Sequence, residues 1–138
     1  MIEQMGDILR KVLSHEDKLE FKEGHDEIDA AMNQLGISRL LARTMPSGEL
    51  LKLVRRPGEV NTDRCVLLSR LIGADAHVYK AEGQCDVAHD LYTTSLGILM
   101  KISEDAEGEK LEQIQKDIDG LRLCISENLS ENNEGLDI

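Results

Sequence analysis

One cysteine and two histidines, close together in the middle of the chain, are the side chains best suited to chemistry. Cys85 and His89 are four residues apart, which places them on one face of a helix, and His77 lies shortly before them. Zinc binding would need a further ligand to complete a tetrahedron, and a thiolate nucleophile would need a third group to orient the imidazole. One hypothesis is therefore a small enzyme or metal-dependent regulator that uses these three residues.

The surrounding sequence does not supply the remaining parts of either site. Cys65 and Cys124 are further thiol donors, but the chain has no CxxC or comparable paired-ligand spacing. No neighbouring residue is a convincing third group for a nucleophile pair. We therefore favour a buried thiol with two surface imidazoles, and we predict neither a metal nor a cofactor.

Other sequence patterns associated with catalysis are also weak. The acidic residues between 104 and 109 are typical of solvated charge near a helix N-terminus rather than of acid–base machinery. The glycine turns PSGE and RPGE lack the preceding strand and the GK[ST] sequence of a phosphate-binding loop. The chain is predicted to be non-enzymatic.

Charge and composition restrict the partners. The 138 residues carry a formal net charge of -11 at pH 7, so attraction to nucleic-acid phosphate or to an anionic membrane is not expected. Tryptophan is absent, and Phe21, Tyr79 and Tyr92 are too few aromatics for a base-stacking surface. We expect an aliphatic core and no nucleic-acid or membrane partner.

The compartment is predicted from the N-terminus and the cysteines. The opening MIEQMGDILRKVL is apolar on one side only, unlike a signal peptide or a membrane span. The chain has 3 cysteines, an odd number, and they are far apart, which is typical of reduced thiols. We predict a cytoplasmic protein.

Apolar spacing predicts helices along the chain, and no period-two strand pattern competes with them. An amphipathic helix covers residues 2–13, and the polar stretch 14–27 is compatible with a loop or with a helical extension. The next predicted helix begins at Asp26 as N-cap and stops at Gly36.

Two short helices are predicted next. Ser38 caps one that ends before residues 45–46, because the residue preceding a proline is disfavoured in a helix. Ser47 begins the other, and the RRPG sequence at 55–58 closes it. Residues 61–62 supply an N-cap for the helix that follows.

The second half of the chain is predicted to contain a helical hairpin and a final helix. Two long helices joined at Gly83 must lie antiparallel, because the link is short. The final helix begins near Asp105 and repeats aliphatic residues in steps of three and four, the spacing of a narrow seam. We predict one helical domain over residues 1–127 and an acidic flexible tail over 128–138.

The hairpin over residues 69–102 resembles a tetratricopeptide repeat, a helix–turn–helix unit of about 34 residues. Asp75 stands where that pattern prefers leucine, and Met100 replaces the closing proline. Because one repeat does not bury its own faces, the resemblance implies flanking helices that cover it. The large, small, aromatic and turn positions of the repeat are occupied by Ile72, Ala76, Tyr79, Gly83, Ala88, Tyr92 and Ser95.

The resemblance also implies a ligand-binding groove on the first helix of the hairpin. His77 stands where some of these repeats have an asparagine that clamps a peptide's C-terminal carboxylate. The cations among these positions imply a short acidic segment as ligand. The positions that match the groove-facing ones are Arg70, Gly73, His77, Lys80 and Ala81.

The chain as a whole resembles a family of small bacterial all-helical proteins of unknown function. The similarity lies in a short N-terminal helix, the MPSGELLKLV sequence and the hairpin that follows VNTDRC. It implies a cytosolic helical fold and no particular activity. We predict an all-α bundle or short superhelix of about six helices built around the tetratricopeptide-like hairpin.

Basic residues concentrate between positions 39 and 64, in contrast to the acidic remainder of the chain. They either pair with acidic helices of the same chain or form a docking patch for an acidic peptide or a second copy. We predict a protein-interaction module whose partner is a protein or peptide, with homodimerisation as an alternative. The basic residues are Arg39, Arg43, Lys52, Arg55, Arg56 and Arg64.

Overall fold

The computed structural model describes residues 21–54 and 63–136, and within these ranges it contains six α-helices and no strand. The all-α class is therefore confirmed for this part of the chain. No helix in it is long and apolar enough to cross a membrane. The helices are α1 (Phe21–Gln34), α2 (Arg39–Thr44), α3 (Ser47–Val54), α4 (Asp63–Ala81), α5 (Cys85–Ser103) and α6 (Gly108–Leu136).

Three of the predictions fall outside the described residues. They are the amphipathic helix over residues 2–13, the RRPG turn at 55–58, which includes Arg55 and Arg56, and the N-cap at 61–62. The polar stretch 14–27 is described only from Phe21 onward, where it is helical.

The first described helix begins before the predicted N-cap. Asp26 lies inside α1, so the prediction that it caps the helix is wrong. Phe21 packs against the core, and Gly24 and Ile28 are buried at helical spacing, so the apolar face continues for more than one turn before Asp26. The predicted stop is in place, since Gly36 follows the helix with a left-handed φ of 84°.

The two short helices begin where the sequence predicts, and the first of them also ends there. The hydroxyl of Ser38 accepts a hydrogen bond from the Leu41 amide at 3.1 Å, and α2 ends at Thr44, before the Met-Pro pair. Ser47 is the first residue of α3, and its hydroxyl donates to the Thr94 carbonyl oxygen of α5 at 3.2 Å. This contact attaches the start of α3 to the middle of α5.

The turn between α4 and α5 is a Schellman motif centred on Gly83. The Gln84 amide donates to the Tyr79 carbonyl at 2.9 Å, and the Gly83 amide donates to the Lys80 carbonyl at 3.0 Å. This pattern requires a left-handed residue between the helices, and Gly83 has a φ of 87°. The chain reverses direction here within a few residues.

The cross-helix contacts confirm that α4 and α5 are antiparallel. Ser69 contacts Ser95, and His77, two turns later in α4, contacts Tyr92, which precedes Ser95 in α5. Apart from the turn glycine, the residues that match the repeat pattern are all buried. They are Ile72, Ala76, Tyr79, Ala88, Tyr92 and Ser95.

The remaining helices pack around this hairpin and share one connected apolar core with it. α1 packs on α4, α3 packs mainly on α5, and α6 packs on α5 and contacts the edge of α4. Ile114 and Ile118 of the predicted seam are buried, and Leu121 packs partly against the same core. The hairpin therefore has helices on more than one side.

The final helix extends beyond its predicted end. It begins at Gly108 rather than near Asp105, and it continues to Leu136, through most of the segment predicted as a tail. Asn128, where that tail was to begin, is buried, and its side-chain amide donates to the Cys85 carbonyl oxygen at 3.1 Å. The contact fixes this part of α6 to the start of α5, which the acidic composition of the segment does not reveal.

Candidate functional site

An open groove lies where α6 passes beside the central hairpin. Its volume is about 370 Å³, within the range of ligand pockets. Gly73 and Ala74 of α4, Leu99 of α5 and Leu121 of α6 make much of its lining apolar. Three helices therefore border an open space that their side chains do not fill.

The structure places three of the five predicted groove residues in this groove. Arg70, Gly73 and His77 line it, because residues three and four apart lie on one face of α4. Lys80 and Ala81 are not among the residues that line it. The predicted face of α4 therefore borders this groove along Arg70, Gly73 and His77, whereas the last two predicted residues lie outside it.

Small residues and satisfied hydroxyls form the base of the groove. The hydroxyls of Ser69 and Ser95 are 2.7 Å apart, and each lies within hydrogen-bond distance of the other residue's carbonyl oxygen. A Cβ atom added to Gly73 would lie 3.7 Å from the Ser95 hydroxyl and 3.8 Å from a Leu121 methyl, which is ordinary contact. The base therefore has room for a methyl-sized group and has no unpaired serine hydroxyl to bind it.

His77 stands at one end of the groove as a neutral imidazole. Burial, reinforced by the charge of Lys80, lowers the pKa of His77 from its ordinary value of 6.5. Its Nδ1 lies 2.6 Å from the hydroxyl of buried Tyr92. When Nδ1 accepts that hydroxyl hydrogen, Nε2 carries the ring hydrogen and is the donor that can meet a ligand.

Cations stand at the mouth of the groove. Arg70 Nε donates to Asp117 Oδ2 at 3.1 Å across α4 and α6, and this pair is partly exposed. Lys116 is exposed and forms no ion pair with the described carboxylates. The mouth of the groove therefore offers two cations to a ligand: the Arg70 guanidinium, which already pairs with Asp117, and the Lys116 ammonium, which has no such ion pair among the described residues.

Cys124 lines the same groove as a protonated thiol. Burial, with a smaller contribution from Glu127, raises the pKa of Cys124 from its ordinary value of 9.0. A thiol in this state packs as a small apolar group and is a poor nucleophile at neutral pH.

The three residues of the alternative Cys/His site each have different surroundings in the structure. Among the described residues, no three His, Cys, Asp or Glu side chains are arranged to hold a metal ion. His77 contacts Tyr92, while Nδ1 of His89 is buried without a hydrogen-bond partner. Cys85 is the first residue of α5, and its carbonyl oxygen accepts the Asn128 amide.

A second polar cluster lies between α1, α2 and α4, and sequence reasoning missed it. Asp75 is fully buried in α4, with Oδ1 2.8 Å from His25 Nδ1 of α1. Its Oδ2 accepts a hydrogen bond from Arg39 Nε of α2 at 3.1 Å. The Asp75 carboxylate therefore connects three helices. The signal in the sequence that could have revealed this cluster is the aspartate itself, which stands where the repeat pattern prefers leucine.

The same cluster surrounds Tyr79. The His25 ring lies 4.4 Å from the Tyr79 ring, and Arg39 also donates to the Tyr79 hydroxyl. His25 Nε2 contacts Glu82 Oε1, so the imidazole bridges two carboxylates. Burial alone would lower the pKa of His25, but the hydrogen bonds to Asp75 and Glu82 outweigh it, and the pKa is raised above 6.5.

The described basic residues do not form one uniform surface. Arg39 pairs with buried Asp75, and Arg64 donates to the Leu35 carbonyl oxygen at 3.2 Å. Lys52 pairs with Glu49 of its own helix at the surface. Arg43 is exposed, with its guanidinium 5.3 Å from the centre of the Tyr79 ring. Arg43 also donates to the Tyr79 hydroxyl at 3.4 Å, so three of these four cations contact other parts of the fold.

Comparisons of the chain with protein-family models, curated proteins and solved structures found no match. The described part of the chain is all-helical, and its two main features are the mainly apolar groove and the buried ionic cluster around Asp75.

Proposed function

We propose that this chain is a non-enzymatic protein-interaction module that binds an acidic segment of a partner in the groove beside its central hairpin. The observation that supports this most is an open apolar groove with cations at its mouth. We further propose that α4 and α5 are a tetratricopeptide-like hairpin whose first helix presents the binding face. The three free cysteines fit a cytoplasmic location for such a module.

The charge distribution supports an acidic ligand. The chain as a whole has a net charge of -11, so an acidic partner is repelled except where cations are concentrated. Arg70 and Lys116 provide such a place on the two sides of the groove. Exposed ion pairs contribute about 0 to 1 kcal/mol each, so these cations orient the partner more than they hold it.

The apolar lining supplies the larger part of the expected affinity. Full burial of one aliphatic side chain stabilises by about 1.5 to 3 kcal/mol relative to exposure. Two such side chains and two ion pairs together stabilise by at most about 8 kcal/mol before the cost of association is subtracted. Because a micromolar complex requires about 8.2 kcal/mol net, binding of that strength needs further buried apolar side chains of the partner. We expect a moderate, reversible interaction.

A groove-filling variant tests the proposal. A Cβ atom added to Gly120 meets no heavy atom within 4 Å, so Gly120→Leu places a side chain at the groove without a clash at its attachment point. Gln115→Leu adds the same side chain to an exposed position of α6 outside the groove and serves as the matched control. Unchanged circular dichroism would show that both variants are folded.

The readout is affinity capture with crosslinking from the native cell. We expect one partner to be recovered with the wild-type chain and with Gln115→Leu, and to be lost with Gly120→Leu. Charge reversal at Lys116 should weaken recovery, whereas reversal at exposed Lys22 of α1 should not. Equal recovery with wild type and Gly120→Leu would exclude the groove as the binding surface. If the recovered protein is a second copy of this chain, light scattering should show a dimer that Gly120→Leu disrupts.

A further inference from the structure

We infer that the segment held in the groove is an acidic amphipathic α-helix rather than an extended peptide. This inference rests on the proposed function, since it specifies the ligand of the same groove. It follows from the hydrogen-bonding groups that the groove offers and from those that it lacks.

An extended peptide exposes a backbone donor and acceptor at nearly every residue, and each needs a partner when buried. The groove provides few. The hydroxyl hydrogens of Ser69 and Ser95 both have acceptors within this pair of residues, either the other hydroxyl or a backbone carbonyl oxygen. Arg70 is shared with Asp117, and the backbone groups of the lining helices are used within those helices.

A helix does not have this difficulty, because its backbone hydrogen bonds are internal. It presents side chains to the groove and leaves only those to be satisfied. The mainly apolar base of the groove accepts aliphatic side chains. The polar groups available to a ligand are the ammonium of Lys116 and the Nε2 of His77, and both residues line the groove. The groove therefore suits a ligand whose polar contacts are made by side chains alone.

The spacing within α4 predicts the pattern of side chains on such a ligand. Gly73 leaves a methyl-sized space between Ser95 and Leu121 for the tip of an aliphatic anchor. Arg70 lies one helical turn before Gly73, and His77 lies about one turn after it. A ligand helix matches this arrangement when it carries a central aliphatic residue and has carboxylates three or four positions before and after that residue.

The test is a selection with a phage-displayed library of random peptides long enough for four helical turns, about 15 residues. The full-length chain is the target, and the folded Gly120→Leu variant is used for counter-selection. We expect the enriched peptides to repeat aliphatic residues at steps of three and four with acidic residues beside them. A proline introduced at the centre of an enriched peptide should weaken binding at least tenfold, measured by fluorescence anisotropy.

The possible results separate this inference from the proposed function. Enriched peptides that tolerate a central proline, or that alternate apolar and polar residues, would overturn the helical ligand and leave the interaction module in place. Enriched helical peptides that are basic would overturn the acidic ligand. If no peptide is enriched over the Gly120→Leu variant, both the groove and its proposed ligand are rejected.

Discussion

Replacing Asp75 with asparagine should destabilise the fold strongly, although the change preserves the shape of the side chain. The carboxylate is fully buried and contacts both His25 and Arg39. Asparagine would leave the imidazolium and the guanidinium without their shared counter-ion. Because the ionic partners come from α1 and α2, the loss should loosen the attachment of both helices to α4.

The expected magnitude follows from burial. Removal of one member of a fully buried ion pair costs about 3 to 5 kcal/mol, because the remaining charge is uncompensated. Here the carboxylate is 1% exposed, but the side chains of His25 and Arg39 are 13% and 22% exposed and keep some contact with water. We therefore expect Asp75→Asn to lower the free energy of unfolding by about 2 to 4 kcal/mol.

A set of variants separates charge from packing. Asp75→Leu supplies the residue that the repeat pattern prefers, yet with both cations present it should be at least as destabilising as Asp75→Asn. The triple variant Asp75→Leu, His25→Leu, Arg39→Met removes all three ionic groups and should recover much of the loss, since apolar replacement of a whole buried ionic cluster is often neutral or stabilising.

The assay is urea denaturation at about pH 7 followed by far-ultraviolet circular dichroism, which yields the free energy of unfolding. Asp90→Asn, at an exposed position of α5, is the matched control and should change this free energy by no more than about 0.5 kcal/mol. A loss for Asp75→Asn as small as that of the control would refute the reasoning. A triple variant no more stable than Asp75→Leu would also contradict it.

Three further predictions concern other contacts. Because the pKa of His25 is raised, the stability that its protonated form contributes is fully present below pH 6.5 and is lost as the pH rises through the folded pKa. The difference in the free energy of unfolding between wild type and His25→Gln should therefore shrink as the pH is raised above 6.5. Gly120→Ala should stabilise by about 0.5 to 1 kcal/mol in urea denaturation, whereas Gly83→Ala should destabilise by about 1 to 2 kcal/mol because Gly83 is left-handed. Asn128→Ala should cost about 1 kcal/mol and speed amide hydrogen exchange near the end of α6, and unchanged exchange there would argue against the bond to the Cys85 carbonyl.

Local sequence signals predicted much of the secondary structure. Ser38, Gly36 and Gly83 act within a few residues of themselves, through a side-chain cap or a left-handed backbone, so their effect can be seen without the fold. Apolar spacing similarly identified the faces of α4, α5 and α6 that pack in the core. The wrong N-cap at Asp26 shows the limit of such signals, because a residue that favours caps is also tolerated inside a helix whose apolar face continues past it.

The candidate sites depended on the fold to different degrees. Arg70, Gly73 and His77 could be placed on one helix face from their spacing, but the groove exists only because α6 passes beside that face without filling it. The ionic cluster could not be predicted, since Asp75 meets residues about 36 and 50 positions away in sequence. Side chains on different helices meet only after packing.

The sequence by itself therefore determined the helices of the described residues, the hairpin turn at Gly83 and the face of α4 that borders the groove, because each depends on residues within a few turns of one another. Only the tertiary structure decided that His77, Cys85 and His89, all among the described residues, are not arranged to hold a metal ion, that Asp75 is a buried counter-ion, and that α6 continues past Asn128. The physical reason is the same in each case. Burial and the meeting of distant charges are properties of packed helices, and residue types alone do not specify which helix lies against which.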